Sequence, residues 1–280
     1  MSCNDAIETR EVGNHRISIY PDYDAECPVT NWDMGGRYLW EYPDSYHHIL
    51  SDQCNWEDYF CESRGHTLED ALRQMAAIEV DQKNIVKFFK EGNVQDYRFI
   101  YDRHEREWKL QSYSFKQWWD EVCMTSSELK ECDYRYELVE HLEKDELIKL
   151  IDKYAKDFVI QEWSTRGYSQ GDYMEGIAYM SKERFDKYVG FNPDKFKNWK
   201  QHAYHIIDLE VKEIGMWAWG DVKGYVLEKK VNFTKVYDNE EHEDEEDCEY
   251  EEVDSCWGFY MDTDELIEEV ISEHRLKETA

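Results

Sequence analysis

The residues most able to do chemistry lie between positions 238 and 254. Twelve of these seventeen residues are Asp or Glu, and none is Lys or Arg. Paired carboxylates can act as general acid and base or hold a cation, but those roles need a shaped site. The run has no glycine-bearing calcium-loop pattern. With so many carboxylates, any pair could be named as acid and base, so the proposal has no content. A better use for such a run is a long-range field that steers a basic partner. Its acids Glu240, Glu241, Glu243, Asp244, Glu245, Glu246, Asp247, Glu249, Glu251 and Glu252 are the candidate partner-binding residues. Trp217, Trp219, Trp257 and Tyr260 flank the run and could supply anchoring area, as could Tyr225. Aromatics in such places also serve as core, and both readings stay open.

Other constellations are weaker. His47 and His48 with Cys54 and Cys61 come nearest to a metal cluster, but adjacent histidines rarely ligate together and no second half follows. His202 and His205 lie in a helical stretch and read as ordinary helix residues. No GxGxxG, P-loop, GxSxG, HExxH or EF-hand pattern occurs. Eight cysteines include no CxxC pair. Buried thiols are expected, with a Cys248–Cys256 bridge across the acidic run as an alternative. No catalytic residue, metal or cofactor is assigned.

The charge balance limits the partners. With 64 acids against 33 bases, the formal charge is −31. Nucleic acid and anionic membrane surfaces would be repelled, so neither is expected as a direct partner. No run of 18 apolar residues exists, and the first dozen residues carry no secretion signal, so a reducing cytoplasm is the expected setting. Aromatics make up 15% of the chain, enough to build a core around which the acids are displayed.

The elements that must position these residues can be read from periodicity. Residues 1–13 are expected to fray. Strands are expected over 15–21, 94–101, 108–115, 158–163, 173–180 and 222–236, with a further one over 255–260. Segment 22–48 reads as an irregular, aromatic-rich stretch. Helices are expected over 67–90, over most of 116–156 with a restart at a Thr125–Glu128 capping box, and over 181–190, 193–214 and 262–275. Three regions result: an aromatic-rich segment 1–66, a mainly helical region 67–157, and an α+β region 158–280. The fold class is α+β, with mixed helices packed on a mainly antiparallel sheet and an acidic loop, 238–254, between C-terminal strands.

Four stretches resemble one family. ISIYPDYDAECPVTNWDMGGRY, YSQGDYMEGIAYMSKERF, GDVKGYVLEK and EVDSCWGFY are similar, in this order, to blocks of acidic proteins carried by phages and plasmids. DSCWGFY is the most specific of them, and 68–158 lies outside the resemblance. Size and acidity are also similar to those of the phage anti-Gabija proteins. Those inhibitors assemble around a bacterial defence complex and stop its nuclease from recognising and cutting DNA. The resemblance implies a non-enzymatic anti-defence protein in the cytoplasm of an infected bacterial host. Self-association is expected from the residues, because the long 222–236 segment and exposed aromatics offer interface. Its partner would be a host complex with a basic DNA-binding surface. An enzyme of unrecognised class acting on a small molecule and a general DNA mimic are the alternatives.

Overall fold

The computed structural model describes residues 6–41, 54–55, 58–59, 67–165, 174–190, 196–235 and 245–277. The chain divides into two compact units. One joins Met1–Asn31 to Glu213–Ala280, and the other is Trp32–Lys212. This division follows neither of the sequence boundaries at 66 and 157. The α+β class is correct: among the described residues, helices accompany three antiparallel sheets.

Strand β1 (Glu8–Val12) forms a hairpin with β2 (His15–Pro21), turning at Gly13 with φ +66°. The first of these was expected to fray. Val12 is buried in the core, and that burial holds the segment in place. Within the expected irregular stretch lie a single turn, α1 (Pro28–Asn31), and strand β3 (Arg37–Glu41), on which Tyr38 and Trp40 are fully buried.

The stretch read as one helix over 67–90 is two, α2 (Leu68–Glu79) and α3 (Gln82–Lys90). Val80 is extended, at φ −114° and ψ 124°, and breaks the helix there. Thr67 caps α2, in a reciprocal box with Asp70. Strands β4 (Tyr97–Asp102) and β5 (Glu107–Ser114) pair as read from sequence.

A larger correction follows. Trp118, Trp119, Val122 and Cys123 do not open a helix. They lie on β6 (Gln117–Thr125), antiparallel to β5. Their spacing mimics a helical stripe, but a two-residue turn decides otherwise. Ser114 faces Gln117, and Phe115 and Lys116 between them have φ of +51° and +62°. Positive φ at both centres is the type I′ geometry that matches strand twist. Side chains other than Gly or Asn reach it at a cost of about 1–2 kcal/mol each.

Thr125 and Glu128 do exchange capping hydrogen bonds, at 2.7 and 3.2 Å, but the helix they start, α4 (Glu128–Glu131), is a single turn. Helices α5 (Arg135–Val139) and α6 (Lys144–Tyr154) follow. Their Leu138, Val139, Leu147, Leu150 and Ile151 form the expected buried stripe. Strands β7 (Phe158–Ser164) and β8 (Glu175–Ser181) pair with each other, and β8 also pairs with β3. A Cβ at Gly176 would lie 1.9 Å from the Leu39 carbonyl oxygen, so only glycine lets β3 and β8 close.

Ser181 caps α7 (Lys182–Val189), and Gly190 closes it in the left-handed conformation, both as expected. Helix α8 (Trp199–Ala218) comes next; Pro193, its expected first residue, lies outside the described residues. Its Glu210 is buried and accepts from the Gly35 and Gly36 amides at 2.6 and 2.9 Å and from the Tyr38 hydroxyl. Three donors satisfy the carboxylate and hold the glycine pair that leads into β3.

The chain ends with β9 (Lys223–Lys235), β10 (Glu245–Phe259) and α9 (Thr263–Glu273). The first unit's sheet runs β1-β2-β9-β10, and the second unit's run β3-β8-β7 and β4-β5-β6. Leu266, Ile267 and Val270 of α9 pack on Val12, Ile17, Ile19, Tyr225 and Leu227. Each such side chain contributes about 1.5–3 kcal/mol of burial. That core fixes which face of the sheet is inward, and so where the acids of β10 point.

Candidate protein-binding surface

The described part of the acidic run is not a loop. From Glu245 onward it is strand β10, paired along β9. Glu240, Glu241, Glu243 and Asp244 lie outside the described residues. The expectation of a loop rested on self-repulsion, and β9 relieves that repulsion. Lys229 stands opposite Glu251. Opposite charges across a ladder favour pairing.

Strand β2 covers one side of β9 only as far as Lys229, where His15 is the last partner, and the Asn14 carbonyl then accepts from the Lys230 amide at 2.8 Å. Beyond that point, among the described residues, 231–235 pair with 245–249 alone. Five residue pairs make a two-stranded ribbon of about 17 Å beyond the sheet. The 222–236 segment, read from sequence as a strand, thus outruns its sheet. Alternation puts Asp247, Glu249 and Glu251 on one face and Cys248, Tyr250 and Glu252 on the other. Glu249 and Glu251 are exposed and have no ion-pair partner among the described residues.

The ribbon's root is held on its second face. The Tyr250 hydroxyl donates to Glu11 at 3.0 Å, and its ring lies under the Arg16 guanidinium, 3.9 Å from the centroid. Arg16 donates twice to Glu228, at 2.7 and 2.9 Å. One chain of contacts thereby crosses all four strands. The bond to Glu11 raises the Tyr250 pKa. Sequence reasoning missed this network, because its members are distant in sequence and meet only through register. Not every acid is free to bind. Glu252 accepts from Ser255 at 2.9 Å. Asp254 accepts from Tyr225 at 2.7 Å and lies 3.1 Å from His274; the tyrosine's bond is the main cause of its lowered pKa.

The aromatic candidates form a separate group. Trp217 is half-buried and donates from its indole to the Ala25 carbonyl at 3.1 Å. Tyr260 donates to Glu26 at 3.0 Å, and burial pushes its pKa up to about 12. Trp257 tilts against Tyr20 and lies over Gly224, where a Cβ would meet the indole at 2.1 Å. Trp219 is half-buried just past α8. Trp217 and Tyr260 therefore pin the segment after β2. Tyr225 is core. Trp257 sits eight residues along β10 from Glu249, more than about 20 Å away. Among the described residues, the acids of the ribbon and these aromatics do not form one patch.

The chain matches no protein-family model, no curated protein and no solved structure.

The remaining chemical candidates resolve simply. Among the described residues no cluster of three metal ligands exists. His47, His48 and Cys61 lie outside them, and Cys54 is buried against the Trp40 backbone, with its sulfur 3.1 Å from the amide nitrogen. His202 and His205 are exposed on α8. Cys248 and Cys256 are free and lie along one strand, about 25 Å apart. A disulfide needs Cα atoms within about 7 Å, so that bridge is excluded within one chain. Among the described residues no helix is long and apolar enough to cross a membrane. Surface recesses of 530, 570 and 460 Å³ in the second unit are lined mainly by charged side chains, several in ion pairs such as Lys83–Asp81 and Arg73–Glu69.

Proposed function

We propose that this chain binds another protein through the β9–β10 ribbon, and that the surface it covers is one the partner uses to hold DNA. The observation that carries the reading is the ribbon itself: Asp247 and Glu249 share one face where the two strands leave their sheet, and Glu251 continues that face at the ribbon's root. An isolated two-stranded ribbon is marginally stable, and exposed like charges on one face destabilise it further. A basic surface would offset both costs.

The charge density suits that role. Seven of the ten residues from 245 to 254 are acids. At about 3.4 Å per residue, the strand carries one carboxylate per roughly 5 Å. A DNA strand carries one phosphate per roughly 3.4 Å of axis. The ribbon presents a sparser version of the same charge line. Joined to the family resemblance, this favours a phage anti-defence protein that blocks a Gabija-like nuclease complex from its DNA by direct contact. A general DNA mimic would show the same field with little partner selectivity.

Pull-down from a host lysate, followed by DNA competition, tests the reading. Recovered complexes should contain a DNA-binding or nuclease subunit, and duplex DNA should displace the chain. Asp247→Asn, Glu249→Gln and Glu251→Gln together should weaken capture about a hundredfold. Undiminished capture by that variant would end the proposal.

A further inference from the structure

The β5–β6 hairpin carries an unusual load. Phe115 is 93% exposed, and Trp119, Tyr113 and Trp118 are 48%, 43% and 37% exposed. Phe115 also occupies a left-handed turn position that Asn or Gly would fill with less strain. A solvent-exposed phenylalanine in strained backbone gains nothing for the folded monomer. Beside it, β6 is an edge strand. Among the described residues it pairs only with β5. It has neither Lys nor Pro to block pairing, and its bulge falls at Glu121, leaving 117–120 regular.

We infer that this chain associates with a second copy of itself through β6, edge to edge and antiparallel, with the hairpin aromatics closing over the junction. Charge selects the occupant. Two chains of −31 repel over most of their surface, but residues 107–125 hold three acids and two lysines, and Asp120 lies 2.8 Å from Lys109. The hairpin is thus nearly neutral, and another copy can approach there. The register is self-compatible as well. Pairing about Trp119 sets Trp118 opposite Asp120 within the regular stretch, so no acid faces an acid there. The four rings expose roughly 450 Å² per copy. Two copies bring about 900 Å² before any backbone is counted, close to the roughly 1,000 Å² of a specific interface. This inference replaces the 222–236 segment as the source of self-association, since β9 is paired on both sides over Lys223 to Lys229. It does not depend on the ribbon's proposed partner.

The test is light scattering on the purified chain alone over a range of concentrations, with hydrogen exchange read at residues 117–121. The expected mass is twice the 34.0 kDa chain, and those amides should exchange more slowly as concentration rises. Trp118→Lys with Trp119→Lys should give a monomer. Should that variant fail to fold, Phe115→Asn with Lys116→Gly decides. It suits the turn, so thermal stability should hold or rise while dimer affinity falls about tenfold. A wild-type monomer at high micromolar concentration, concentration-independent exchange at 117–121, or a dimer unaffected by the turn variant would overturn the inference.

Discussion

Two edge strands of this molecule handle the same backbone liability in opposite ways. Strand β10 is long and terminates its sheet, and acids occupy most of its length to Asp254. Strand β6 also terminates a sheet, and it carries two adjacent tryptophans beside a bare phenylalanine. Both leave backbone donors and acceptors open to another strand. On β10, like charges opposite one another would oppose pairing with a second copy, while a basic surface is attracted. On β6, near-neutral charge permits what β10 forbids. The net −31 is therefore unevenly spread, and where it is thin matters as much as where it is dense. The two edges lie in different units, so each can be altered without touching the other.

The largest expected effect comes from separating the two functions. Neutralising Asp247, Glu249 and Glu251 should weaken partner capture about a hundredfold at low salt, taking roughly 1 kcal/mol per charge. The same variant should leave self-association unchanged, and the Trp118/Trp119 variant should show the reverse pattern. If either set moves both readouts, the two edges are not independent. Arg16→Ala comes next. It removes the cover from Tyr250 and strands Glu228, a part-buried carboxylate with two bonds to lose. Urea unfolding should show a loss of about 2 kcal/mol. An unchanged midpoint would mean that the network crossing the four strands contributes no stability to the ribbon's root.

The sequence showed the ribbon more readily than the β6 edge, for physical reasons. The β-favouring character of β9 was legible from Val222 on, and the cap residues Ser181 and Gly190 marked boundaries that the structure keeps. The acid run was visible, but its strand character was not. Whether Glu249 sits in a loop or on a ladder depends on Val231 across from it, which is a matter of register. At β6 the local signals pointed the wrong way. Phe115 and Lys116 are poor turn residues, and Trp118 and Val122 lie four apart, as on a helix face. Tertiary pairing of Leu110 with Val122 overrides that pattern. The aromatics Trp217 and Tyr260 were found but misplaced, since a hydrogen bond to a distant carbonyl, Ala25 or Glu26, leaves no mark in spacing.

Acid should affect the scaffold under β6. Lys109 is held by Asp120, Glu105 and Asp102, and its pKa is raised, Asp120 being the first cause. Asp120 and Asp102 are correspondingly lowered. In the same unit Glu91 accepts from Lys153 at 2.7 Å and from Tyr154 at 2.8 Å, and its pKa falls to about 2. Carboxylates depressed on folding contribute stability above their unfolded values, near about 4, and lose it as pH falls through the folded ones. The second unit's urea midpoint should therefore be flat from neutral pH to about 4 and drop toward 2. Lys109→Met should reduce that drop. A midpoint independent of pH over this window would show that these pairs contribute nothing net to the sheet that presents β6.

The smallest effect is the most direct test of the contrast between the edges. If acids are what keep β10 from pairing with itself, removing some of them should make that edge adhesive. Glu249→Thr with Glu251→Thr replaces two exposed acids by a β-favouring residue and keeps the ladder intact. Other acids remain along the strand, among them Glu245, Glu246, Asp247 and Glu252, so the gain should be modest, about tenfold in association. It should be read in the Trp118/Trp119 background, where the β6 route is closed and any new dimer must use β10. Added salt should strengthen it, because screening weakens the remaining repulsion. If this combined variant stays monomeric even at high salt, charge is not what guards β10. The extra residues at its two bulges, Val253 and Gly258, would then be the feature that spoils pairing with another strand.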